Sequence, residues 1–80
     1  MIDVNKLLEE AIRETENLKE GEVFLVRDLF KGYMWNRIAV NERLLLGILF
    51  LNYVHTNKGC LQAIEKTSSH QQKYKKTQRY

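Results

Sequence analysis

Residues 61–76 read LQAIEKTSSHQQKYKK. Two short runs, 61–66 and 71–76, flank the small polar group Thr67-Ser68-Ser69-His70, which is the pattern of a β-hairpin. Pairing Ile64 opposite Tyr74 turns Tyr74 inward and sets Lys73 and Lys75 together on the other face, because side chains alternate along a strand. What stands before this hairpin then decides the fold.

Residues 41–56 form a helix capped by Asn41, reaching Thr56 or Asn57, with Gly59 beyond as its terminator. Leu44, Gly47, Ile48, Leu51 and Val54 share one of its faces, and Leu46, Phe50 and Tyr53 the adjacent one. Only Asn41, Asn52 and Thr56 interrupt the apolar surface. A helix this apolar is the central buried element, and it also offers a subunit contact for a homodimer. Before it, Asp28 caps a short helix over residues 28–31, and Gly32 interrupts that helix. Residues 33–38 either finish it or turn into the next one. Residues 22–26, Glu-Val-Phe-Leu-Val, are brief and rich in strand formers. At the start, Asp3 caps a helix that Ile2 and Leu7 staple, with Val4, Leu7, Leu8, Ala11, Ile12 and Leu18 as its apolar stripe. Glu9, Glu10, Glu14 and Glu16 make its solvated face, and Gly21 stops it. Helix, strand, helix, helix, hairpin is the order of a winged helix-turn-helix domain of the α+β class. A single such domain is expected over residues 1–80, with 77–80 a frayed tail.

Acid and base are segregated along the chain. Residues 1–30 carry four Lys/Arg against eight acids, a net of −4, and residues 31–80 carry nine against two, a net of +7. A cationic C-terminal half attracts a polyanion while the acidic half stays away from it. Eighty residues at 44% hydrophobic content support one small core. A lone cysteine, Cys60, excludes an internal disulfide and fits a reducing compartment. The apolar run 44–51 is far short of the ~20 residues of a membrane span. Acids stand near the N-terminus where a signal peptide carries bases. A cytoplasmic protein without membrane attachment is expected.

The chain resembles a family of small winged-helix-like proteins of Gram-positive bacteria and their phages or mobile elements, known only as a domain of unknown function. The likeness rests on Gly21-Glu22, Phe24, Asp28-Leu29-Phe30, Gly32-Tyr33, Trp35-Asn36-Arg37-Ile38, Leu46-Gly47, Phe50, Lys66-Thr67-Ser68, Gln71-Gln72 and Tyr74. It implies a compact winged-helix-like unit and no particular activity. At Leu45 and Ile48 the sequence departs from the polar or basic side chains expected there, which weakens base reading by the third helix.

Nucleic acid, with double-stranded DNA foremost, is the partner expected from the residues. Lys66, Lys73, Lys75 and Lys76, with Arg79 behind them, place cations on the hairpin, while Ser68, Ser69, Gln71 and their neighbours Thr67 and Gln72 supply donors to phosphate oxygens. Arg37 and Arg43 bracket the start of the third helix, whose dipole also favours phosphate. Asn36, Arg37, Asn41 and Arg43 are placed to reach base edges in a major groove, Arg to guanine and Asn to adenine. The bland reading is a solvated lysine-rich end. Trp35 reads as a lid on the core beneath a turn before it reads as a stacking platform. Tyr74 serves equally as a packing or a stacking residue, so single-stranded DNA or RNA is a further possibility. The competing function is protein interaction. Leu45 and Leu49, beside Asn52 on the polar strip, are either covered by the fold or form a patch for a second copy or a host protein. A regulator or accessory factor of a mobile element follows from the first reading, an inhibitor from the second.

Catalysis finds little support. His55, Cys60 and His70 are the only soft ligands, without metal-site spacing. Glu42 and Glu65 have no evident partner base, and no phosphate loop or nucleophile elbow occurs. No enzyme, metal or cofactor is expected.

Overall fold

The computed structural model describes residues 3–56 and 61–77. Helix α1 (Val4–Thr15) begins as the sequence predicts, with the Asp3 carboxylate accepting from the Asn5 amide at 2.9 Å. That bond satisfies one of the orphan donors of a helix start. Leu7, Ala11 and Thr15 are buried on one face, while Glu9, Glu10, Glu14 and Glu16 stay exposed. The helix ends at Thr15, well before Gly21. The amides of Glu16, Asn17 and Leu18 bond back three residues, tightening the chain into turns. Gly21 has a different task. At φ +90° it swings the chain onto the sheet, and its N–H donates to the Lys76 carbonyl at 2.7 Å. Only glycine takes that conformation without strain.

Strand β1 is just Val23–Phe24, shorter than the expected 22–26. The Leu25 amide donates to the Asp28 carboxylate at 2.9 Å as the chain leaves the strand. Val26–Leu29 then forms a 3₁₀ turn. Asp28 therefore reaches back from inside that turn and does not cap a helix over 28–31. Helix α2 lies later, at Gly32–Asn36, so Gly32 opens a helix where interruption was expected. Helix α3 spans Val40–Thr56, and the Arg43 amide bonds the Ala39 carbonyl at 2.9 Å. Asn41 thus sits inside the first turn and is not the cap. The expected roles of Ile2, Gly59 and Cys60, and of the tail from residue 78, lie outside the described residues.

Strands β2 (Leu61–Lys66) and β3 (Gln72–Lys76) form the predicted hairpin. The antiparallel sheet has the order β1-β3-β2, so β3 is central. Its register differs from the sequence reading. Ala63, and not Ile64, faces Tyr74, and a bulge intervenes before Lys66 pairs with Gln72. One extra residue on β2 produces the shift, and the Gln72 side-chain amide donates to the Ile64 carbonyl there. The architecture is α+β, three helices with a three-stranded antiparallel sheet, in the helix-strand-helix-helix-hairpin order expected of a winged helix.

The core lies where α3 packs between α1 and β2. Leu46, Phe50 and Val54 form the buried row of α3. The apolar face through Leu44 and Ile48 is turned to solvent. Phe50 meets Tyr74 edge-on at 4.9 Å, and Tyr74 stacks on Phe24 at 5.8 Å. Burial pushes the Tyr74 phenol up to about 12, because the anion loses its water. An unfolded chain releases that proton near pH 10, the folded chain only near 12. The unfolded state therefore binds fewer protons between these values, and stability falls with rising pH across that window by about 2–3 kcal/mol. Following tyrosine ionisation by ultraviolet absorbance, we expect one of the four tyrosines to ionise only as the fold is lost. Four ionisations near pH 10 with intact circular dichroism would refute this.

Candidate nucleic-acid interface

The hairpin tip is built by Thr67. Its hydroxyl accepts from the amides of Ser69 and Gln71 at 3.2 and 3.1 Å, and its carbonyl accepts from His70 at 2.9 Å. Ser68, Ser69, His70 and Gln71 are exposed there. His70 adopts φ +66° to close the turn, a region that histidine enters more readily than bulky or branched residues.

The lysines expected to act together are divided among different tasks. Lys76 donates to the Thr15 carbonyl at 2.7 Å, placing a cation at the negative end of α1. Lys73 lies 3.2 Å from the Glu65 carboxylate. A backbone hydrogen bond and then Lys73 hold that carboxyl below its usual value. Lys66 and Lys75 are exposed, with no ion pair among the described residues. The arginines also separate. Arg43 donates to the Trp35 carbonyl at 2.9 Å and lies 5.2 Å from the Trp35 ring centre. It locks α2 against α3 and is not held out toward a groove of DNA; its Nε is buried without a partner. Arg37 is exposed but lies over the Tyr33 ring at 5.2 Å. Asn36 and Asn41 are exposed at the end of α2 and the start of α3. Trp35 is half-buried against Phe30, with ring centres 5.9 Å apart.

Between α3, the 3₁₀ turn and the hairpin tip runs an open groove of about 490 Å³. Val40, Leu44, Gly47, Ile48 and Leu51 of α3 make much of its lining aliphatic, with Val26 of the 3₁₀ turn and the Trp35 and Tyr74 rings beside them. Arg27, Lys66, His70 and Gln71 stand along its sides. Among the described residues no carboxylate lines it. A second, smaller hollow of about 230 Å³ lies elsewhere, walled by Glu10, Glu14 and Asp28 with Lys31 and Phe30. The two share no residue. Leu45 and Asn52 are exposed and Leu49 is half-buried, and none of the three lines the groove.

Sequence reasoning missed Arg27 and the outward face of Leu44 and Ile48. Arg27 belongs to the acidic half, and only folding carries it across. The apolar excess of α3 was the available signal, because one helix cannot bury its whole circumference against two neighbours. Among the described residues there is no group of three metal-ligating side chains and no helix long and apolar enough to cross a membrane.

No curated protein matches this sequence. Among solved structures, the chain resembles one described as "SCCmec type IV LP1413 - nucleic acids binding protein". The TM-score is 0.74 at 20% identity, covering 96% of this chain and 89% of that one. At such identity the likeness is one of fold. Residues 9–76, which include every side chain that lines the groove and both strands of the hairpin, match a single family model, and the chain belongs to that family, described as Domain of unknown function (DUF1413).

Proposed function

We propose that this protein binds nucleic acid as a single strand laid along the groove between α3 and the hairpin. One observation carries the reading. Val40, Leu44 and Ile48 are 67%, 66% and 59% exposed on the outward face of α3, in a groove that Arg27 and Lys66 also line and that no carboxylate among the described residues lines. A helix that reads a duplex needs polar side chains for base edges. An apolar floor instead gives unpaired bases a surface to lie against, with the half-buried Trp35 ring in the same lining as a stacking surface, while Arg27 and Lys66 attract the phosphates. The solved neighbour of like fold is described as nucleic-acid-binding, which supports the class of partner. An accessory or regulatory factor acting in the cytoplasm for a mobile element fits this activity. A duplex remains the second reading, favoured by the exposure of Asn36, Arg37 and Asn41 and by the open Lys75.

Equal lengths of single-stranded DNA, duplex DNA and RNA, titrated over a salt series, separate these readings. Single strands should bind more tightly than duplex, with a slope in log affinity against log salt of about −0.7 per neutralised phosphate. Arg27→Glu/Lys66→Glu should weaken single-strand binding at least about tenfold at low salt. Lys73→Gln, whose ammonium is already paired, should change little. Tighter duplex binding, or an unaffected double variant, would move the site to the start of α3.

A further inference from the structure

His70 stands at the hairpin tip with its backbone at φ +66°, a conformation that glycine or asparagine holds at less cost. The backbone there is well fixed. The Thr67 carbonyl accepts from the His70 amide at 2.9 Å, and the Thr67 hydroxyl accepts from the amides on either side, of Ser69 and Gln71. His70 lines the groove together with Lys66 of the same hairpin, Arg27 of the 3₁₀ turn and Arg43 of α3. Among the described residues its imidazole has no hydrogen bond or ion pair. Lysine and arginine side chains ordinarily carry their charge throughout the range from pH 5 to 8. The Tyr74 phenol, also in the lining, is pushed up to about 12 by burial and is silent there. Asp28, Glu42 and Glu65 lie on the elements that form the groove, yet none of them lines it, and Glu65 faces Lys73. His55 of α3 does not line it either. Histidine is the side chain whose ordinary change of charge falls between pH 5 and 8, and among the described residues His70 is the one histidine in this lining.

We infer that the protonated imidazole of His70 is a phosphate ligand of the groove, so that the grip on a single strand tightens as the solution turns acid. The inference rests on the single-strand reading above and adds to it a proton-dependent contact. A neutral imidazole offers a phosphate oxygen one N–H, whereas an imidazolium offers two and a full positive charge. No carboxylate among the described residues lines the groove to neutralise that charge, which is left for the strand. Linkage fixes the sign. Proton and strand strengthen each other's binding by one and the same factor, so affinity rises as pH falls and levels off once the imidazole is fully charged. One further phosphate neutralised steepens the salt slope by about 0.7, which at about 50 mM salt is about an eightfold gain in affinity.

The full chain would be titrated with fluorescent oligo(dT), a strand whose own charge is constant over this range. Salt series at about pH 8 and about pH 5.5, with circular dichroism on the same samples, give affinity and fold together. The parent should bind about eightfold more tightly at the lower pH, with a salt slope steeper by about 0.7. His70→Asn keeps a residue suited to the left-handed backbone and a neutral donor, but takes up no proton. It should bind as the parent does at the higher pH and gain nothing at the lower. His55→Gln, which removes the histidine outside the groove, should respond to pH as the parent does. A parent salt slope equal at the two pH values, or a gain that survives in His70→Asn, would overturn this inference and leave the groove as a single-strand site. Loss of the gain in His55→Gln would overturn it too. No binding to oligo(dT) at either pH at low salt would overturn both this inference and the single-strand reading.

Discussion

Phe50→Ala is expected to destabilise the domain by about 3–5 kcal/mol. Phe50 is fully buried, touching Phe24 and Tyr74 edge-on and Tyr53 obliquely, with ring centres 6.4, 4.9 and 6.4 Å away. It is where the buried row of α3 meets β1 and β3. Removing the ring forfeits its transfer free energy and opens a cavity between a helix and a sheet that cannot both collapse into it. An 80-residue domain has only roughly 4–12 kcal/mol of stability in total, so much of the population should unfold. Urea denaturation followed by circular dichroism measures the loss. Phe50→Leu, which keeps most of the volume, should lose far less. A shift under about 1 kcal/mol in Phe50→Ala would mean that the aromatic cluster does not anchor α3 to the sheet.

The elements with sustained periodicity were legible before any coordinates. The stripe of α1, the apolar length of α3 and the alternation around Tyr74 each follow from one repeating choice of side chain. Their ends were less so, because single local hydrogen bonds mark them. The Asp28 carboxylate accepts from the Leu25 amide where the chain turns out of β1, and the Ala39 carbonyl accepts from the Arg43 amide, which starts α3 ahead of Asn41. The bulge in β2 moves Ala63 opposite Tyr74. A bulge leaves the count of strand residues looking ordinary, so the pattern alone yields the wrong partner.

The excess of cations late in the chain is legible in the sequence, and the partners those cations take are not. Counting lysines cannot show that Lys76 reaches a carbonyl 61 residues away, or that Lys73 faces Glu65 across the hairpin. Both cations are engaged in holding the fold. Conversely, Arg27 becomes part of the groove although it belongs to the acid-rich first thirty residues. The apolar surface of α3 reads as core and as subunit contact alike, because hydrophobicity does not reveal which side of a helix has a neighbour. Leu44 and Ile48 are as apolar as Leu46 and Phe50, and only packing separates them.

Leu44→Glu/Ile48→Glu should therefore leave the fold standing and abolish its proposed activity. Both side chains are more than half exposed, and surface substitutions of this kind usually change stability by no more than about 0.5 kcal/mol. Glutamate is a good helix former, and the like-charge pair at this spacing costs only about 0.2–0.5 kcal/mol. Binding is affected in two ways at once. The aliphatic floor beneath the bases is lost, and two carboxylates enter a groove whose rim, at Arg27 and Lys66, otherwise attracts phosphate. Losing about 3 kcal/mol of apolar cover and charge complementarity corresponds to a roughly hundredfold fall in affinity for single-stranded DNA. Anisotropy titration and thermal melting on the same sample keep the two effects apart. A folded variant that binds as tightly as the parent would exclude the groove, and the exposed Asn36, Arg37 and Asn41 at the α2–α3 junction would then be where nucleic acid docks. A folded variant that has lost binding leaves those three in place and shows that they do not suffice.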